Sequence, residues 1–339
     1  MPGAYGAADP LFLLLAALAL EAYLGNFRWS QALVAWPLRG YLRLARRFEQ
    51  KLNRRQRGHR ALLIRGLVVT LLLLGLAWAL GYLWSLVTRH YPYAWGLELF
   101  FLVGALRQRR TWRQFESFRL SLGAGSPHAA RSTLEQLATG DLSARDVDRL
   151  PRSLLAPAGL AALSRRFADS LVAPIFWFVL LGLPGLALQL GLRALVGLYG
   201  GVTSPDSRRP PRAGDFALPA LMLERALGWL PNRLAGLLLA TAAVFVPGAA
   251  PSEALKRLGS AGRQGENSQG LLAGDWPVAA LGGALQLDSP NRAEHALEGV
   301  GRQGLSLDRL AVAAWIYAVA CLLLVVLLAN LLVVRLTLA

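Results

Sequence analysis

The chain has 339 residues, 55% of them hydrophobic and 17% charged, against about 25% charged in an ordinary soluble domain. That balance excludes a disordered chain, which needs low hydrophobicity and high charge density, and with it the collagen-like and low-complexity classes. The net charge of +16 in so apolar a chain points to cytoplasmic loops facing anionic lipid and away from nucleic acid.

In chain order, residues 10–24 form a first apolar run that contains Glu21. It does not read as a secretory signal, because no Lys or Arg precedes Arg28. A basic stretch follows at 39–60, with Arg39, Arg43, Arg46, Arg47, Lys51, Arg54, Arg55, Arg57 and Arg60 against Glu49. The positive-inside rule places it in the cytoplasm and the N-terminus outside. Residues 66–88 carry no charge over 23 positions, long enough at about 1.5 Å per residue to cross a hydrocarbon core of about 30 Å. Residues 93–106, with Glu98, are short for a span but return the chain, so that the arginine-rich stretch 107–170 is cytoplasmic again.

Within that stretch, residues 107–120 set Trp112, Phe115 and Phe118 on one helical face among arginines, the pattern of a helix lying in the membrane interface. Ser132 and Glu135 have capping-box spacing for a helix ending at Gly140. Residues 171–200 are apolar but broken by Gly182, Pro184 and Gly185, which predicts a kinked helix or a re-entrant hairpin. Shorter apolar runs lie at 234–249 and 271–287, and residues 311–334 are charge-free over 24 positions. Tyr82, Trp84, Trp315 and Tyr317 suit interfacial belts. Gly197-x-x-x-Gly201 has helix-packing spacing. Cys321, the one cysteine, leaves no internal disulfide and argues against a cysteine zinc site.

The expected fold is all-α: a polytopic integral membrane protein, with four or five transmembrane helices and re-entrant or interfacial segments. A helical cytoplasmic loop at 107–170 belongs to the single membrane domain 1–339, and the lipid bilayer is the primary partner. The chain has no P-loop, H-E-x-x-H or G-x-S-x-G string. No two of His59, His90, His128 and His295 have metal-ligand spacing. Glu21 and Arg193 are ionisable groups within apolar runs, hence functional candidates or an ion pair with each other.

Three longer strings carry more information. They are Asp169-Ser-Leu-Val-Ala-Pro-Ile-Phe-Trp-Phe with a following Gly-Leu-Pro-Gly, Leu230-Pro-Asn-Arg-Leu-Ala-Gly, and Trp276-Pro-Val-Ala-Ala-Leu-Gly-Gly-Ala-Leu-Gln-Leu with Ser289-Pro-Asn. In this order and at these separations the chain resembles the CobD/CbiB superfamily of membrane proteins over most of its length. Gly25-Asn26-Phe27 and Trp36-Pro37-Leu38-Arg39 look like that family's amino-terminal strings. The resemblance implies an activity like adenosylcobinamide-phosphate synthase: ATP-dependent amide formation between a corrinoid carboxylate and an aminopropanol or its phosphate, in cobalamin assembly. On the resemblance, Asp169, Asp141 and Glu224 are the catalytic candidates, and Arg39, Arg233 and Asn291 the substrate- or phosphate-binding ones. No metal ligand is assigned. ATP and Mg2+ are implied if the family activity is retained, and a corrinoid substrate or other membrane proteins are the implied partners.

The departures from the family pattern fall on charge. Arg165 and Arg166 stand where the family has Glu and Asn, Leu190, Arg193 and Val196 replace polar positions, and Val278 replaces a Glu. Glu224 and Arg225 stand for paired aspartates, and Asn26 for an Asp. Arginine or valine in place of carboxylate removes metal ligands and inverts local charge, so the expectation is a retained fold with weakened or lost ligase chemistry. The alternative is an AmpE-like non-catalytic signalling or scaffold protein, which Val172-Ala-Pro-Ile-Phe-Trp-Phe and Gly228-Trp-Leu-Pro-Asn-Arg-Leu-Ala-Gly resemble. Asp169 has an alternative role as a helix N-cap, and Arg233 one as a residue snorkelling to headgroups.

Overall fold

A computed structural model describes residues 9–24, 28–53, 58–90, 95–138, 147–148, 150–199, 214–261, 275–287 and 307–338. Asp141 and Asn291 lie outside the described residues. The helices in chain order are α1 (Pro10–Leu24), α2 (Arg28–Leu52), α3 (His59–His90), α4 (Trp95–Ala105), α5 (Gln108–Gly123), α6 (Pro127–Leu137), α7 (Arg152–Phe167), α8 (Ala173–Tyr199), α9 (Leu218–Ala242), α10 (Pro251–Ala261), α11 (Trp276–Ala284) and α12 (Leu307–Leu338); a π-helical turn, Ala168–Val172, joins α7 to α8. Among the described residues there is no strand.

The two charge-free runs become α3 and α12. Each carries outward-facing leucines and valines, such as Leu67, Leu71 and Leu72 on α3 and Leu322, Val326 and Leu327 on α12, where lipid is the matching solvent. Four helical stretches are long and apolar enough to cross a membrane: His59–Thr88, Arg152–Tyr199, Gly214–Phe245 and Leu307–Leu338. At 15 residues, α1 is about 22 Å long, short of the hydrocarbon thickness.

The second of these stretches is not straight. Asp169 and Arg193 are 24 positions apart, about 36 Å along a continuous helix, yet their side chains meet at 2.6 Å. A Cβ on Gly185 would collide with the carbonyl of Trp177, eight positions back. Both facts require the chain to reverse between them. The reversal sits at Gly182, whose φ of 67° and ψ of −151° lie in a region open essentially only to glycine, with Pro184 denying the next turn its N–H. The expected choice between kink and hairpin is therefore settled as a helical hairpin, with arms 152–181 and 183–199.

Two ends of the molecule follow from the contacts. One gathers the hairpin tip, the start of α1 and the end of α12: Phe178, Val179, Pro10, Leu11, Leu331 and Val334 line one apolar groove, and Arg335 pairs with Asp9 at 3.2 Å. Gly81 of α3 faces the tip, where an added Cβ would lie 2.8 Å from Pro184 Cα and from Ala187 Cβ. The other end holds the start of α3, where Gly66 abuts the Phe216 carbonyl, together with Tyr199, α2 and α5. On α2, Tyr41 and Ala45 are buried against α8 and α3, leaving Arg39, Arg43, Arg46, Arg47 and Lys51 exposed.

Four sequence expectations are corrected. The helix across Ser132 starts earlier, at Pro127 after Ser126, so Ser132 lies within the helix; proline at the first helical position outweighs the capping-box spacing. The α5 aromatics are buried in protein: Phe115 and Phe118 are fully buried, and Phe118 fills the notch left by Gly159. Tyr317 is interior, its hydroxyl donating to the Gln108 carbonyl at 3.1 Å. Gly197 has nothing within 4 Å of an added Cβ; the close helix approaches use Gly66, Gly81 and Gly191 instead.

Glu21 and Arg193 do not pair with each other. The Glu21 carboxylate, 5% exposed, accepts from the Arg109 backbone N–H at 3.1 and 3.2 Å, so it caps the start of α5, where the helix dipole favours an anion. Burial lifts its pKa from the usual carboxylate range to about 7, partly offset by the N–H and guanidinium of Arg109. The folded protein thus keeps a proton that the unfolded chain releases. Stability is full below about pH 4.5 and declines as pH rises to about 7, by up to about 3 kcal/mol. Thermal unfolding in detergent from pH 4 to 8 should show this slope in the wild type and a shallower one in Glu21→Gln; equal slopes would refute it.

Candidate functional site

The hairpin brings together residues that are far apart in sequence. Asp169 sits in the π-turn, a local widening of the helix of the kind found at functional sites, where it points across to the returning arm. There Arg193 Nη1 lies 2.6 Å from Asp169 Oδ1 and 3.7 Å from Glu224 Oε1 of α9. The three side chains are about one-quarter exposed or less, at 21%, 28% and 17% for Asp169, Arg193 and Glu224. The cluster lies 13 positions, about 20 Å, from the hairpin tip, toward the end that carries the basic face of α2. Arg107, between α4 and α5, belongs to the same region: burial, then the charges of Arg110 and Arg193, lower its pKa. Asp169 is therefore an ion-pair partner within a helical stretch and does not act as an N-cap.

A second assembly adjoins the first. Arg165, one turn before Asp169, bonds Asp275 through Nε at 2.6 Å and so ties the hairpin to the start of α11. Arg233 of α9 stacks its guanidinium 3.7 Å from the Trp229 ring centroid and 4.8 Å from that of Trp276. Cation–π contact with the two rings is compatible with N–H donation from the guanidinium to a phosphate or carboxylate. Arg166 turns away and donates to the carbonyls of Leu137 and Gln136 at 2.8 and 3.1 Å.

Of the site residues expected from sequence, Asp169 and Glu224 meet at one point, Arg233 lies further along α9, and Arg39 is exposed on α2. Sequence alone does not indicate that Arg193 joins the two carboxylates, that Arg107 lies nearby, or that Trp229 and Trp276 both lie against Arg233. One signal was available: Asp169 and Arg193 stand almost symmetrically about Gly182, the spacing a hairpin needs to bring them level.

The family model described as CobD/Cbib protein matches residues 14–300. Over 327 residues, the chain is 26% identical to "Cobalamin biosynthesis protein CobD" of Rhizobium meliloti (strain 1021), covering 93% of this chain and 94% of that protein. It is 28% identical over 278 residues to the protein of the same name from Sinorhizobium sp, covering 82% and 81%. A third relative so named, from Rhodobacter capsulatus, is 30% identical over 141 residues, or 42% of this chain and 40% of that one. No solved structure matches. The matched stretch takes in every residue of the cluster, the hairpin that assembles it and the α11 segment beside it, and the chain belongs to the CobD/Cbib protein family.

Proposed function

We propose that this protein serves cobalamin assembly at the membrane, at the step that joins a corrinoid carboxylate to an aminopropanol or its phosphate through an amide bond. The observation that carries the reading is the convergence of Asp169, Arg193 and Glu224 from three elements, in a chain whose near-full-length relatives bear the name cobalamin biosynthesis protein. Amide formation from a carboxylate needs its oxygen converted by ATP into a phosphate leaving group, and an amine oriented and deprotonated against the carbonyl, so that the C–N bond forms as the C–O bond to phosphate breaks and the growing negative charge is stabilised. Asp169 and Glu224 are the groups to orient an amine and take its proton, and Arg193 holds both in place. Arg233 offers its guanidinium edge to a phosphate or carboxylate. Arg39, Asp141 and Asn291 complete the proposed set, with the single domain 1–339 in the inner membrane and residues 39–60 and 107–170 in the cytoplasm.

Magnesium does not fit the described residues. Among them no three His, Cys, Asp or Glu side chains gather as a metal site, and the two carboxylates that converge hold a guanidinium between them. The deciding experiment is complementation. A synthase-deficient strain given cobyric acid and aminopropanol should grow when this chain is expressed at normal level; no growth, with the protein present in the membrane, would overturn the reading.

One observation favours a second reading, the AmpE-like scaffold: Arg165 is bonded to Asp275, and Arg166 to main-chain carbonyls, so the positions of two family polar residues serve structure. On that reading Asp169→Ala and Glu224→Ala leave the phenotype intact, while disruption of 107–170 abolishes it.

A further inference from the structure

Asp169 and Glu224 approach the same nitrogen of one guanidinium, at 2.6 and 3.7 Å, so their two oxygens lie within about 6.3 Å of each other. Oxygens that share a small divalent cation at about 2.1 Å stand up to about 4 Å apart, a difference that side-chain torsions cover. Independently, Gln189 lies four positions before Arg193, hence on the same face of the returning arm and one turn toward the tip. It is 3% exposed, and its Oε1 has no hydrogen-bond partner. A buried amide oxygen without a donor is costly and is the kind of ligand a hard cation takes.

We propose that Arg193 is the resident cation of a site that would otherwise take a divalent metal, with its guanidinium standing between Asp169 and Glu224 and excluding the ion. A guanidinium is always charged and donates along fixed directions, so it neutralises the two carboxylates without exchanging ligands as a metal does. The cluster then needs no metal ion to balance its two carboxylates. This inference concerns the ion at the cluster and is independent of what the protein joins or signals.

The test is Mn2+ titration of the full chain in detergent micelles, read by electron paramagnetic resonance. The wild type should show no Mn2+ site that Glu224→Gln removes. Arg193→Gln, folded by circular dichroism and monodisperse, should gain one site with a Kd of about 10⁻⁴–10⁻³ M, lost again when Asp169→Asn or Glu224→Gln is added. Arg193→Lys, which keeps the charge, should gain none. A wild-type site abolished by Glu224→Gln, or a folded Arg193→Gln that gains no site, overturns the proposal. So does an Arg193→Gln that cannot be recovered folded even with millimolar Mn2+ present throughout preparation, because the ion should then replace the missing charge. Failure of complementation with these Mn2+ results intact would reject the amide-forming reading and leave this one standing.

Discussion

Gly185→Ala abolishes the stable hairpin, whereas the same substitution at Gly197 is tolerated. Both glycines lie on the returning arm of α8, and in isolation each exchange should favour helix by about 1 kcal/mol. Their surroundings differ. An alanine Cβ at 185 collides with the Trp177 carbonyl and lies 2.7 Å from the Leu181 Cβ. The first of these is backbone of the opposite arm and cannot rotate away. At 197 nothing stands within 4 Å. Overpacking of a core typically costs about 1–3 kcal/mol, and more where backbone must move; separation of the arms would also pull Arg193 from Asp169. The expected loss for Gly185→Ala is therefore about 4 kcal/mol or more, seen as aggregated or absent material after extraction. Gly197→Ala should match or exceed the wild-type melting temperature. Gly182→Ala should fall between them, at about 1–3 kcal/mol, because its φ of 67° strains any residue with a side chain. Equal behaviour of the 185 and 197 variants would contradict the hairpin itself.

Sequence revealed what depends on one segment alone, and it failed where a neighbour decides. The spans at α3 and α12 were legible because 23 or 24 charge-free positions leave no other solution than burial in lipid or protein. The hairpin was half legible: Gly182, Pro184 and Gly185 announce a break, but its angle depends on whether the two arms can touch, which the packing of Gly185 against Trp177 settles. Periodicity marked an apolar face on α5 without saying what covers it, and the answer, Gly159 on α7, is 41 positions from Phe118. Glu21 and Arg193 stood out as costly charges in apolar runs, yet their partners lie 88 positions away at Arg109 and 24 positions away at Asp169. A pairing of this kind follows only from tertiary topology. The family resemblance placed Asp169 and Glu224 among the candidates one at a time; their meeting at a single guanidinium is a property of the folded chain.

Neutralising Arg193 alone should destabilise the protein more than neutralising the whole cluster. With Arg193→Met, Asp169 and Glu224 remain as two carboxylates no more than about 6.3 Å apart, each about one-fifth exposed. Removal of one partner from a buried pair costs about 3–5 kcal/mol, because the remaining charge has lost its compensation. Partial exposure screens these groups, so the expected cost is nearer 2–3 kcal/mol. The triple variant Asp169→Asn, Arg193→Gln, Glu224→Gln keeps the shapes and hydrogen-bonding capacity while removing every charge, and replacement of a buried ion cluster by neutral groups is often near neutral. It should fall within about 1 kcal/mol of the wild type, although it carries three substitutions to the other's one. Asp169→Asn with Glu224→Gln, which strands the arginine, should resemble Arg193→Met. Detergent melting curves at fixed pH and salt give all four values, and their non-additivity measures the coupling among the three side chains. If the single and triple variants lose stability in proportion to the number of residues changed, the cluster is three independent contacts and Arg193 does not hold the carboxylates together.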